Sequence, residues 1–268
     1  SALFITLTVI AAVAVVGFSL RSYWAVVLIG IGLSTLMIWL KGISFLLGLK
    51  GGLIADLIVP IAMISFGVDF GVHAIRRYQE ERKTKLSNNK KFIVAFGGVG
   101  SALTLAFISD SIAFLSNITA GIESVVHFGL AAGVATFAAY IVLGIYAPFI
   151  LSKIESVDKK NNKNKIIWTF QAIGSASLAG GSVIVFLLVS SVLGMIMILS
   201  NLILFLLLPI LIVKKSNPSL NKDSNEKKNI FIKIEEYFSK IILFTAKKPY
   251  ITILFFSLIT IYSTYLAF

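Results

Sequence analysis

Asp69, His73, Asp110 and His127 stand inside stretches that are otherwise apolar. A charge at mid-bilayer costs at least about 2.5–3.5 kcal/mol, so such residues usually face a bundle interior and mark pathways or relays. Desolvation favours the neutral form of a carboxylate. Asp69 is therefore suited to take up a proton from one side and release it to the other. His73 falls at i+4 on the same helix face and extends a path toward the exit at Arg76. Asp110 lies between Ser109 and Ser111 and is either a further relay residue or a helix-packing one. Counting 1.5 Å per residue puts Asp69 roughly 10 Å from Arg76, and Asp110 about 10 Å from Asn117. Two layers are predicted, an inner one around Asp69 and an outer one around Asp110 and His127. Ser101, Thr104 and Thr136 fall near the level of Asp69 and form its expected polar support.

The elements that must position these residues are membrane helices. The 268-residue chain is 57% hydrophobic and only 13% charged, with a mean hydropathy of +0.95. Soluble domains carry about 25% charged residues. Apolar runs long enough to cross a hydrocarbon core of about 30 Å recur at roughly 2–20, 23–47, 53–77, 92–116, 124–152, 166–190, 192–213 and 249–268. The fold class expected is an all-α, polytopic transmembrane bundle of about eight spans. As one helix, 166–213 would be about 70 Å long, far beyond a single crossing. Lysines flank both its ends, so it is read as two spans that break near Ser190-Ser191. Residues 214–229 read as a linker, and 230–246 as an amphipathic helix in the interface.

The net charge of +12 is an orientation signal. Arg21 and the segments 76–91, 153–165 and 214–248 hold 22 of the 24 Lys and Arg, all on one side if the spans alternate. Positive-inside then makes that side cytoplasmic, including loops 78–91, 153–165 and 214–248, in a multi-pass protein of the cytoplasmic (inner or plasma) membrane. With the basic residues in short loops between spans, no nucleic-acid partner is expected. There is no Cys, hence no disulfide framework or thiolate metal site. No phosphate loop, nucleophile elbow or metal-ligand spacing occurs, so no enzyme, metal or cofactor is expected. Gly67-x-x-x-Gly71 and Gly129-x-x-x-Gly133 read as helix contacts. The first pair flanks Asp69, so a neighbouring helix is expected to press close to the acid.

Gly67-Val68-Asp69-Phe70, followed by Arg76-Arg77-Tyr78-Gln79-Glu80-Glu81, resembles a fourth-helix signature of the resistance-nodulation-division (RND) superfamily, in its MmpL-like and Patched-like (sterol-sensing-domain-like) branch. Ala102-Leu103-Thr104, Ala113-Phe114-Leu115 and Ala147-Pro148 are similar to helices five and six of the same fold. The resemblance implies that 1–155 is a bundle of helices two to six from a six-helix half. Residues 156–213 would be a cytoplasmic loop and an inserted two-span hairpin. Residues 214–248 would be the linker and interfacial helix, and 249–268 the first helix of a second half that is otherwise absent. It also implies proton relay at Asp69 with partners on that second half, and export of lipids or other hydrophobic small molecules by proton-motive force. Phe70 stands where Tyr is commoner, removing a hydroxyl that would bond across the halves. The alternative is a sterol-sensing-like lipid-binding or regulatory module without proton flux. The expected partners are a lipid or hydrophobic substrate, protons, the membrane and the second half. A homo-oligomer is also compatible with the sequence.

Overall fold

The computed structural model describes residues 2–49, 57–81, 88–158, 165–216 and 249–266. Asp56, most of the polar loops, and the linker with its amphipathic segment at 230–246 lie outside the described residues. Among those described the chain is almost wholly helical, with no strand. The helices are α1 (Ala2–Leu20), α2 (Tyr23–Leu46), α3 (Val59–Glu81), α4 (Asn88–Leu115), α5 (Glu123–Ala139), α6 (Ala147–Asp158), α7 (Lys165–Ile184), α8 (Ser191–Asn201), α9 (Leu208–Ser216) and α10 (Pro249–Leu266). π-helical turns at Tyr140–Tyr146 and Leu202–Leu207 join α5 to α6 and α8 to α9 without a break. Among the described residues, seven helical stretches are long and apolar enough to cross a membrane. This is an all-α polytopic bundle. The final run, α10, packs along α2.

The hub is α2. It is apolar all round, and such a helix is buried rather than amphipathic. Its neighbours are α1, α3, α5, α6, α7, α8 and α10. Its buried side-chain polar atoms are satisfied locally or by a neighbour. Ser34 Oγ is shared between Gly30 O at 3.0 Å and Ala179 O of α7 at 3.3 Å. Thr35 Oγ1 donates to Ile31 O at 2.9 Å. Trp39 Nε1 and Thr260 Oγ1 of α10 are 3.0 Å apart. Glycines let the neighbours in. A Cβ on Gly32 would stand 2.5 Å from Leu143, and Gly42 lies directly against Ser263 of α10.

The 166–213 run divides at Ser190, whose backbone is extended. The two arms, α7 and α8–α9, fold back on each other. Gly174 faces Phe205, Gly181 faces Met197, and Ser175 Oγ donates to Asn201 Oδ1 at 2.7 Å. Asn201 Nδ2 returns a bond to Ser175 O at 3.0 Å. α7 then lies along both α1 and α2.

One end of the bundle is basic and aromatic. Gln79 Nε2 donates to Leu20 O at 3.2 Å, tying the end of α3 to the turn at Arg21. At that end Arg77 pairs with Glu80 and Glu81 at 3.0 and 3.1 Å. Phe92 meets Phe149 with ring centres 5.7 Å apart, bringing α4 and α6 to the same level. Arg21 itself has φ +45°, the left-handed region that costs a side-chain-bearing residue roughly 1–2 kcal/mol.

Candidate functional site

α3 presents two unlike faces. Met63, Gly67, Phe70, Gly71, Ala74, Ile75 and Tyr78 are buried. They meet α2 and the π-helical turn, where Leu143 would lie 2.7 Å from a Cβ on Gly67. Ser65, Asp69, His73 and Arg76 are exposed on the other face. The Asp69 side chain is 77% exposed and His73 61%. This corrects the expectation that the acid points into the bundle. It also corrects the role of the flanking glycines. Two residues along a helix is about 200° around it, so Gly67 and Gly71 admit their neighbours on the side away from Asp69. Phe70 faces inward too, edge-on to Tyr140 at 5.8 Å. A hydroxyl there would therefore enter this bundle and not bridge to another.

His73 Nε2 lies 3.6 Å from Asp69 Oδ1, as i+4 spacing requires. α4 runs antiparallel beside α3, with Phe114 against Phe66 at 5.7 Å and Gly98 under Arg77. That register brings Asp110 within range of the Asp69 charge. The predicted inner and outer layers thus merge into one patch for these two acids, because the antiparallel register sets Asp110 only about one turn beyond Asp69. His127 stands apart on α5, with Nε2 3.5 Å from Glu123 Oε1. Its Nδ1, like Ser111 Oγ, is buried without a hydrogen-bond partner among the described residues.

The three hydroxyls expected at the level of Asp69 have separate fates. Ser101 is exposed on α4, on the open side. Thr104 Oγ1 bonds Gly100 O at 2.7 Å and Tyr140 OH at 2.6 Å. Thr136 is fully buried and donates to Ala132 O in its own helix at 2.8 Å. None of them donates to Asp69 among the described residues. Gly129 and Gly133 pack against the end of α4, at Phe114 O and Leu115. Tyr140 escaped the sequence reading. It links Thr104, stacks on Phe107 at 4.8 Å and braces Phe70 from inside the patch. A tyrosine in an apolar run carries no signal of which neighbours it will join.

A second concave feature lies on the other side of α2. α1 and α7 part toward the basic end and leave a groove of about 970 Å³. Its rim is a cluster of three rings. Tyr23 lies 4.9 Å from Trp24 and 4.3 Å from Trp168, and Trp24 lies 5.4 Å from Trp168.

A family profile, described as the sterol-sensing domain of SREBP cleavage-activation, matches residues 19–172. The chain belongs to the sterol-sensing family. No curated protein and no solved structure matches it. The sterol-sensing match runs from the end of α1 through α6 into the first turns of α7. It therefore includes Asp69, His73 and Asp110 and leaves out most of the α7–α9 hairpin. The family and the membrane helices together make this a multi-pass membrane module of a lipid- or sterol-related kind.

Proposed function

We propose that this sterol-sensing bundle moves a lipid or other hydrophobic small molecule across the membrane, driven by protons, as an RND-type exporter of the MmpL-like or Patched-like branch. The observation that carries the proposal is the Asp69–His73 pair on an outward face within a membrane span, with Asp110 beside it. A carboxylate turned toward hydrocarbon costs at least about 2.5–3.5 kcal/mol. The face is consistent with a protein cover, and a second helix bundle, in the same polypeptide or in another copy, is the cover proposed. Small residues along α4 (Gly97, Gly98, Ala102, Ala106) are exposed and allow close approach. Between two bundles Asp69 gains or loses its proton as water reaches it from either end. His73 carries the path toward the basic end, which positive-inside assigns to the cytoplasm. The cytoplasmic (inner or plasma) membrane is the location proposed.

The test is Asp69→Asn in the intact protein, in vesicles with an imposed pH gradient. Lipid movement and proton entry are measured together. Both are expected to stop, and undiminished proton-dependent movement overturns the proposal. A second reading, compatible with the same family match, is a lipid-binding or regulatory module without flux. On that reading Asp69→Asn leaves lipid binding intact, and the unaltered protein passes no protons.

A further inference from the structure

We propose that the groove between α1 and α7 binds one membrane lipid with an anionic headgroup, the headgroup at Arg21 and the acyl body between the two helices. This site does not depend on Asp69 or on proton coupling. It lies on α1 and α7, not on the α3–α4 face, and the α7 wall belongs to the hairpin that is mostly outside the sterol-sensing match.

The dimensions suit an acyl chain. The lining runs from Ile10 of α1 to Arg21, about 16 Å at 1.5 Å per residue, and along α7 from Trp168 to Ile184, about 24 Å. That is between about half and four-fifths of a 30 Å hydrocarbon core. The volume of about 970 Å³ is within the range of ligand sites, about 300–1,000 Å³. Small residues make the trough: Ala14 and Gly17 on α1, Ala172 and Ala176 on α7. The aromatic rim of Tyr23, Trp24 and Trp168 stands where such rings gather, at headgroup level. Tyr23 OH donates to Phe205 O at 2.8 Å, so the hairpin's second arm also holds the rim in place.

Charge selects the occupant. Among the described residues, Arg21 is the one charged residue lining the groove. Its side chain is exposed and makes no ion pair or hydrogen bond among the described residues. It also holds a left-handed backbone, φ +45°, where glycine would sit without strain. A strained position that persists invites a functional reading. A guanidinium unpaired among the described residues, at the mouth of an apolar trough, complements a phosphate or carboxylate head above an apolar tail.

Tryptophan quenching tests this directly. Of the three Trp residues, Trp24 and Trp168 line the groove, and Trp39 faces α10. The full chain with Trp39→Phe is placed in vesicles containing brominated phosphatidylglycerol or brominated phosphatidylcholine. The anionic lipid is expected to reach half-quenching at about fivefold lower mole fraction, the preference one basic side chain near the surface supplies. Arg21→Asn, which tolerates the left-handed backbone, is expected to erase the preference. Arg21→Lys is expected to keep it. Ala176→Phe, filling the trough, is expected to weaken quenching by both lipids, and it tests the site should Arg21→Asn fail to fold. Four results overturn the proposal. They are equal quenching by both lipids, a preference that survives Arg21→Asn, stronger quenching by a brominated sterol than by the anionic lipid, and no quenching at all. The last would mean that another part of the chain fills the groove.

Discussion

Two neighbouring helices of this bundle solve opposite problems. α2 is buried on every side along most of its length, and the hydroxyls of Ser34 and Thr35 return to its own carbonyls or to a neighbour, as Ser34 does with Ala179. α3 is buried on one side only and turns Ser65, Asp69, His73 and Arg76 outward. Elsewhere the outer surface is what hydrocarbon asks for: Phe18 on α1 is 81% exposed, with Leu3, Leu7, Leu193 and Leu199 also outward. The α3–α4 face breaks that rule with two acids, a histidine, and a run of Gly, Ala and Ser. The difference separates packing from the chemistry proposed for this protein. α2 holds the bundle together through close packing. The α3–α4 face adds little to that packing and presents the groups able to change charge.

The comparison can be broken first at Gly32. A Cβ there meets Leu143 at 2.5 Å, so Gly32→Leu should lower stability by about 1–3 kcal/mol. Denaturant unfolding in detergent measures it, and an unchanged midpoint would remove α2 as the hub. Ser34→Ala deletes the bond from α2 to α7 and should cost about 0.6 kcal/mol, the usual value between membrane helices. The same assay reads it, beside Ser182→Ala, which removes a hydroxyl 3.3 Å from Ser34. Gly98→Ala lies on the open side, where the near atoms are the flexible end of Arg77. It should shift stability by less than about 0.5 kcal/mol. Asp69→Asn should be equally silent in unfolding, within about 0.5 kcal/mol, while it stops proton-dependent lipid movement. If Asp69→Asn instead unfolds the bundle, the acid belongs with α2 among the structural residues.

Much of this was legible in the residues. The spans could be counted because hydrocarbon demands long apolar helices. The break at Ser190 showed in the length of the run and the lysines at its ends. The Asp69–His73 pairing followed from i+4 geometry on one helix. The side on which the pair stands was not legible. An acid in an apolar run looks the same whether it points into its own bundle or out of it. The choice rests on which face of α3 the glycines and Leu143 claim. Asp110 joined Asp69 for a similar reason: the α3–α4 register is set by Phe66, Phe114, Arg77 and Gly98 together, and no one of them announces it.

The sequence by itself determined a multi-pass helical chain, the basic character of one end, and the ionisable groups carried inside the spans. Hydropathy and charge act residue by residue, so they can be summed along a string. Only the tertiary structure decided that α2 is the centre, that Asp69 and Asp110 share an open face, and that Arg21 heads a groove walled by α7. Each of these depends on how separate helices lie against one another. Small contacts between residues far apart in the chain, such as Leu143 between Gly32 and Gly67, set that arrangement.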